Sequence, residues 1–145
     1  GDRSGDWVFD ALYRAGYANQ PTSISADDGL RLMGAYVAAA VRCAPPANKP
    51  TPGERDQCLP YLAREIEVLS SVRVVVALGR FAYDAVTALL GVRPRPSFGH
   101  GVEVGLADGR TVIGSYHPSQ QNTFTGKLTK EMFDAVFTRA RLLTG

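Results

Sequence analysis

The chain is poor in cysteine, and it lacks both long apolar runs and glycine-rich phosphate loops. Two cysteines in 145 residues are too few for a disulfide-stabilised scaffold. No apolar run approaches the ~18 residues that a membrane-spanning helix needs. Neither GxGxxG nor GxxxxGK(S/T) occurs, which disfavours a nucleotide-binding enzyme acting on small molecules. Any chemistry must therefore come from other motifs.

The composition is that of an ordinary globular domain with a mildly basic balance. The formal net charge is +2 and the sequence pI is about 8.7, which permits a phosphate-bearing partner without requiring one. A chain of 145 residues leaves room for one compact domain, over 1–145. The first residues read as the middle of a loop, so we expect a further segment upstream of Gly1.

Helical and β-branched segments alternate along the chain. We predict helices over 4–16, 51–70, 81–90 and 128–143, a strand over 73–78, a hairpin of 102–106 and 111–115, and a strand or a helix over 35–42. This alternation predicts an α/β fold, a three-layer α/β/α arrangement around a central, mainly parallel sheet.

Two polar motifs follow predicted strands, where α/β sheets bind their ligands. One is the proline-rich stretch 43–52, and the other is the segment SYHPSQQNTFTGKL that holds His117. A lone histidine can be a structural residue or a catalyst. The amides, small residues and glycine after His117 suit phosphate contacts, and Pro118 stiffens the loop.

The residues by themselves leave the role of the two cysteines open. Cys43 and Cys58 can be buried apolar fillers, one disulfide, or half of a metal or cluster site.

Three motifs together resemble one known family. HPS after a strand resembles the last motif of the uracil-DNA glycosylase superfamily, VRCAPPANKPTP resembles its iron–sulfur members, and GDRSGDW resembles the end of their first motif region. Their order and spacing resemble family 5, the type b iron–sulfur enzymes, over essentially the whole chain. The resemblance implies a DNA repair glycosylase that flips uracil and other deaminated or modified bases out of double-stranded DNA. It would hydrolyse the N-glycosidic bond and leave an abasic site.

The resemblance also assigns catalytic roles to three residues. His117 matches the histidine that donates a hydrogen bond to the uracil carbonyl oxygen as the bond breaks. Asp2 matches a catalytic aspartate that orients water, although a loop carboxylate or a helix cap is the alternative. Asn48 matches an active-site asparagine that contacts the base or the water, with an Asx-turn as the alternative.

A cofactor follows from the same resemblance. Cys43 and Cys58 match two of the four thiolates that hold a 4Fe–4S cluster, and the other two would lie upstream of Gly1.

The resemblance places the DNA contacts in the segment after His117. The element that enters the duplex carries amides where some relatives carry a bulky apolar wedge, which favours mispaired substrates because these are easier to flip. Lys49 and Lys127 are candidate phosphate contacts, with plain solvation as the alternative. The matching residues of the element are Ser119, Gln120, Gln121 and Asn122.

Two departures from relatives bear on specificity. Ala39 stands where narrower uracil-specific relatives have a base-reading asparagine, so we expect looser base discrimination. CAPPANKP lacks the basic, histidine-bearing insertion of covalently DNA-linking cousins, which favours a hydrolase. We expect a monomer in the cytoplasm, associated with the nucleoid. A non-catalytic DNA-damage-binding module of the same fold is the alternative.

Overall fold

A computed structural model describes residues 3–21, 29–32, 34, 63–64, 67 and 72–144. The predicted strand or helix over 35–42 and most of the predicted helix over 51–70 lie outside this part of the chain. So do Asp2, Ala39, Cys43, Asn48, Lys49 and Cys58.

Most of the predicted elements within the described residues are confirmed to within a residue or two. The elements are α1 (Arg3–Arg14), β1 (Val74–Leu78), α2 (Arg80–Leu89), β2 (Glu103–Gly105), β3 (Thr111–Ser115), α3 (Gln120–Phe124) and α4 (Lys130–Thr144). The exception is α3, because the segment after His117 was predicted as a loop and forms a short helix instead. Five residues are too few to show the apolar periodicity by which a helix is detected.

The strands form a mixed sheet in the order β1-β3-β2. β1 runs parallel to β3 and pairs Val76 with Ile113, whereas β2 runs antiparallel to β3. The predicted parallel pairing is therefore present, although the part of the sheet described here is half parallel and half antiparallel. β2 and β3 are joined through the predicted Asp108-Gly109 turn, in which Gly109 adopts a φ of 92°.

Helices cover both faces of the sheet. Neighbouring residues of a strand point to opposite faces, and Val112 and Ile113 of β3 are both buried. Val112 packs with Tyr83 of α2, while Ile113 packs with Val136 of α4. This alternation confirms the predicted three-layer α/β/α arrangement.

Helix α1 packs against α4. Its Leu12 packs in one cluster with the buried Phe133, and the ring of Trp7 lies 6.0 Å from that of Phe133. At the surface, Nη2 of Arg14 lies 2.7 Å from Oδ1 of Asp134. This hydrogen-bonded carboxylate raises the pKa of Arg14 above its ordinary value. Because the pair is partly exposed, its stabilisation is about 1 kcal/mol at most.

None of the helices in the described part of the chain has the length and apolar character needed to cross a membrane.

Candidate functional site

The carboxyl ends of β1 and β3 meet at one edge of the sheet. Leu78 and Ser115 form the last pair of the parallel register, and the N–H of Gly79 donates a 2.7 Å hydrogen bond to the carbonyl oxygen of Ser115. The chain after β3 therefore leaves the sheet beside the turn from β1 into α2. His117 lies in this chain segment, so its predicted position beyond the carboxyl ends of the strands is confirmed. In α/β sheets this is the edge at which ligands commonly bind.

Gly79 makes room for His117. Its φ of 90° lies in the region that favours glycine, and a Cβ atom there would lie only 3.3 Å from Cβ of His117. A side chain at position 79 would thus strain the backbone and push on the histidine. The turn from β1 into α2 and the position of His117 therefore depend on each other.

His117 is half-buried, and its Nδ1 atom is buried. The next residue, Pro118, has a fully buried side chain, which anchors the motif below the surface. A buried Nδ1 cannot reach a ligand at this edge without rearrangement. Nε2 is therefore the ring nitrogen suited to meet one.

The short helix α3 holds the backbone of His117 through Asn122. Nδ2 of Asn122 donates a 2.9 Å hydrogen bond to the carbonyl oxygen of His117. Ser119 caps the helix, because its Oγ accepts a 3.2 Å hydrogen bond from the backbone N–H of Asn122. These two predicted DNA contacts thus order the motif internally, while Gln120 and Gln121 are exposed.

Sequence reasoning missed a bulky apolar group in the same helix. Phe124, the last residue of α3, is 64% exposed. The element predicted to enter the duplex comprised only the four polar residues at 119–122. An aromatic side chain follows it, one helical turn after Gln120. The signal was a phenylalanine inside an otherwise polar stretch, where burial is not expected.

Cationic groups lie near the motif. Nζ of Lys127 lies 4.9 Å from the centre of the Tyr116 ring, and Tyr116 immediately precedes His117. Arg80 is exposed at the first position of α2, at the same edge of the sheet, and it was not predicted as a site residue. His100, also not predicted, contacts this edge through Tyr116.

A depression of about 410 Å³ lies elsewhere, at the far end of α2. The helix begins at the His117 edge and runs about 15 Å away from it, so this depression does not belong to the site. It is lined by Ala88, Gly91, Val92, Arg93 and Arg95. Among the described residues no three potential metal ligands come together, and both cysteines lie outside that set.

We expect Gly79→Ala to displace His117, whereas Gly91→Ala serves as a matched control. Both glycines have a positive φ, at 90° and 69°, so both substitutions should destabilise the fold by about 1 kcal/mol. Only Gly79 abuts His117, because nothing lies within 4 Å of a Cβ atom at Gly91. NMR signals of the His117 ring in the intact protein should shift in the first variant alone. Equal shifts in both variants would contradict the proposed contact.

Comparisons with known proteins agree with the motifs. Residues 1–141 match the uracil DNA glycosylase superfamily. The chain is 50% identical over 148 residues to the type-5 uracil-DNA glycosylase of Mycobacterium tuberculosis (strain CDC 1551 / Oshkosh), covering 100% of this chain and 55% of that protein. It is 48% identical over 146 residues to the type-5 uracil-DNA glycosylase of Thermus thermophilus, covering 100% of this chain and 66% of that protein.

A more distant likeness covers part of the chain. The type-4 uracil-DNA glycosylase of Archaeoglobus fulgidus is 42% identical over 62 residues, which is 42% of this chain and 31% of that protein. The chain thus spans about half to two thirds of the length of the type-5 relatives, and it matches them over its whole extent. With the HPS motif at the carboxyl edge of an α/β/α sheet, this chain belongs to the uracil DNA glycosylase superfamily.

Proposed function

We propose that the intact protein is a DNA repair glycosylase. It flips uracil and other deaminated or modified bases out of double-stranded DNA, hydrolyses the N-glycosidic bond and leaves an abasic site. The observation that carries the proposal is the position of His117 at the carboxyl edge of the sheet, in a chain of this superfamily. In the proposed setting the protein acts as a monomer on the DNA of the nucleoid.

His117 supplies the proposed stabilisation of the leaving base. When the bond between the sugar and the base breaks, its electron pair stays on the base and negative charge spreads to a carbonyl oxygen. An N–H of the imidazole aimed at that oxygen stabilises the transition state, and a neutral ring is sufficient. The burial of Nδ1 supports Nε2 as the donor.

Water activation is assigned to two residues outside the described part of the chain. In the proposal Asp2 orients the attacking water and offsets the positive charge that develops on the sugar. Asn48 contacts the same water or the flipped base. The water oxygen bonds to the sugar carbon that the base leaves, and the proton that the water loses neutralises the departing base. Ala39, which offers no hydrogen bond to the base, is the proposed reason for broad base selection.

Engagement of the duplex is assigned to the exposed face of α3 and to nearby cations. Flipping leaves a gap in the base stack, and apolar side chains are suited to fill such gaps. The 64% exposure of Phe124 supports this residue as the filling group, with Gln120 and Gln121 beside it. Lys127 and Lys49 contact phosphates in the proposal, and Tyr116 holds the ammonium of Lys127 near the motif.

A 4Fe–4S cluster is part of the proposal for the intact protein. Cys43 and Cys58 would supply two thiolates, and the other two would come from residues of the same intact protein that lie outside positions 1–145. The proposed role of the cluster is structural, since its bonds to Cys43 and Cys58 would hold the two ends of the segment that contains Asn48. No step of the hydrolysis depends on it.

His117→Ala should slow base release from a duplex with uracil opposite guanine by ~100-fold or more, because a preorganised donor to the developing charge is lost. His117→Gln keeps a donor and should retain more activity. The measurement is the single-turnover rate of alkali-labile site formation, with duplex affinity measured in parallel. Duplex binding by the wild type without any base release would replace the glycosylase with a damage-binding module.

Phe124→Ala should weaken duplex binding by roughly tenfold, because stacking of an aromatic side chain on a base contributes about 1–3 kcal/mol. The loss should be larger for uracil opposite adenine than opposite guanine, because a well-paired base costs more to flip. The matched control is Leu142→Ala, since Leu142 is 68% exposed and lies near the C-terminal end of α4, whereas α3 precedes its N-terminal end. If both variants bind equally well, Phe124 does not enter the duplex.

Cys43→Ser and Cys58→Ser should each lower the iron and acid-labile sulfide content of the intact protein purified without oxygen. Because cluster binding is coupled to folding, each variant should also unfold at a lower temperature than the wild type. Elemental analysis and thermal denaturation measure the two effects. A wild type without iron, or variants with undiminished iron, would exclude these thiolates as ligands.

A further inference from the structure

The ring of His100 bridges the residue before His117 and the first turn of α4. Its Nδ1 lies 3.0 Å from the backbone nitrogen of Tyr116, and its Nε2 lies 3.0 Å from the carbonyl oxygen of Met132. The ring also lies 5.0 Å from the ring of Tyr116, centre to centre. A single side chain thus connects the end of β3 to the helix packed on one face of the sheet.

The two partners determine the protonation of His100. The backbone N–H of Tyr116 can only donate, so Nδ1 must carry a lone pair. The carbonyl oxygen of Met132 can only accept, so Nε2 must carry the hydrogen. Only the neutral imidazole with its proton on Nε2 makes both bonds. The contacts therefore select one of the three forms of the ring, which are two neutral tautomers and the cation.

Both ends of the bridge are anchored. His100 precedes Gly101, whose N–H donates a 2.8 Å hydrogen bond to the carbonyl oxygen of Gly114 in β3. On the other side, the backbone N–H of Met132 donates a 3.2 Å hydrogen bond to Oγ1 of Thr129 at the start of α4. The imidazole therefore connects two elements that are each held by other hydrogen bonds. It can fix the position of the Tyr116 backbone.

We propose that His100 is a positioning residue for His117. It holds the backbone N–H one residue before His117, while Asn122 holds the carbonyl oxygen of His117 itself. The inference rests on the proposed function, in which His117 must direct a donor at the leaving base. A displacement of about 1 Å in such a contact can slow a reaction ~100-fold. The two anchors hold the peptide groups on either side of the one that joins Tyr116 to His117, which suits that role.

Three substitutions separate the two hydrogen bonds. His100→Phe keeps an aromatic ring beside Tyr116 and removes both bonds. His100→Asn places an acceptor near the position of Nδ1, and His100→Gln places a donor near that of Nε2. We expect the phenylalanine variant to release uracil roughly 10- to 100-fold more slowly in a single turnover, with duplex affinity changed less than about threefold. The asparagine variant should recover most of that rate, and the glutamine variant should recover less.

The matched control for lost stability is Thr87→Val. The buried hydroxyl of Thr87 donates a 2.8 Å hydrogen bond to the carbonyl oxygen of Tyr83 within α2, so this variant also loses a hydrogen bond in the folded protein. Its base-release rate should remain that of the wild type at temperatures where it is folded. Equal slowing in the two variants, or a loss of duplex affinity in place of rate, would overturn the positioning role.

A second readout does not depend on activity. In the intact wild-type protein at neutral pH, ¹⁵N NMR of His100 should show a protonated Nε2 and an unprotonated Nδ1. The Tyr116 amide should exchange with solvent faster in the phenylalanine variant than in the asparagine variant. The opposite tautomer, or equal exchange in the two variants, would overturn the inference. A wild type with the expected tautomer but no base release would instead overturn the proposed function.

Discussion

The parallel pairing of β1 with β3 is the constraint on which the site depends. It ends with the 2.7 Å hydrogen bond from Gly79 to Ser115, which brings the start of α2 and the segment of His117 to one edge of the sheet. The positive φ of Gly79 lets the chain turn into α2 without a side chain in the space that His117 occupies. If the pairing shifted by one residue, every side chain of β3 would change face and the histidine would leave the edge.

The layers on either side of β3 give this edge a rigid support. Val112 and Ile113 are both buried, one against α2 and the other against α4, so β3 can move toward neither face. Gly114 adds a third restraint, because a Cβ atom there would lie 2.7 Å from Cγ1 of Val102. The position of a side chain that directly follows such a strand is fixed by the packing of the strand more than by the loop in which the side chain lies.

Local signals predicted the framework, and long-range contacts decided the details of the site. The β-branched run of β1 and the Asp108-Gly109 turn are readable from neighbouring residues alone, and both predictions are confirmed. The role of Asn122 depends on a capped helix of five residues, which leaves no periodic signal. His100 and Met132 are 32 residues apart, so only the fold reveals their contact. The predictions for Asp2, Asn48 and the cysteines lie outside the described residues.

The hydrogen bond from Asn122 to the carbonyl oxygen of His117 joins two parts of the molecule that evolution would otherwise alter separately. Gln120, Gln121 and Phe124 of α3 are exposed, so their side chains can be exchanged without a change in the helix backbone. A change that shortens, rotates or unwinds the helix also moves the peptide group of the histidine. Divergence in this segment is therefore expected to proceed by exchange of outward side chains on a constant backbone, because an insertion or deletion between positions 117 and 122 would break the hydrogen bond.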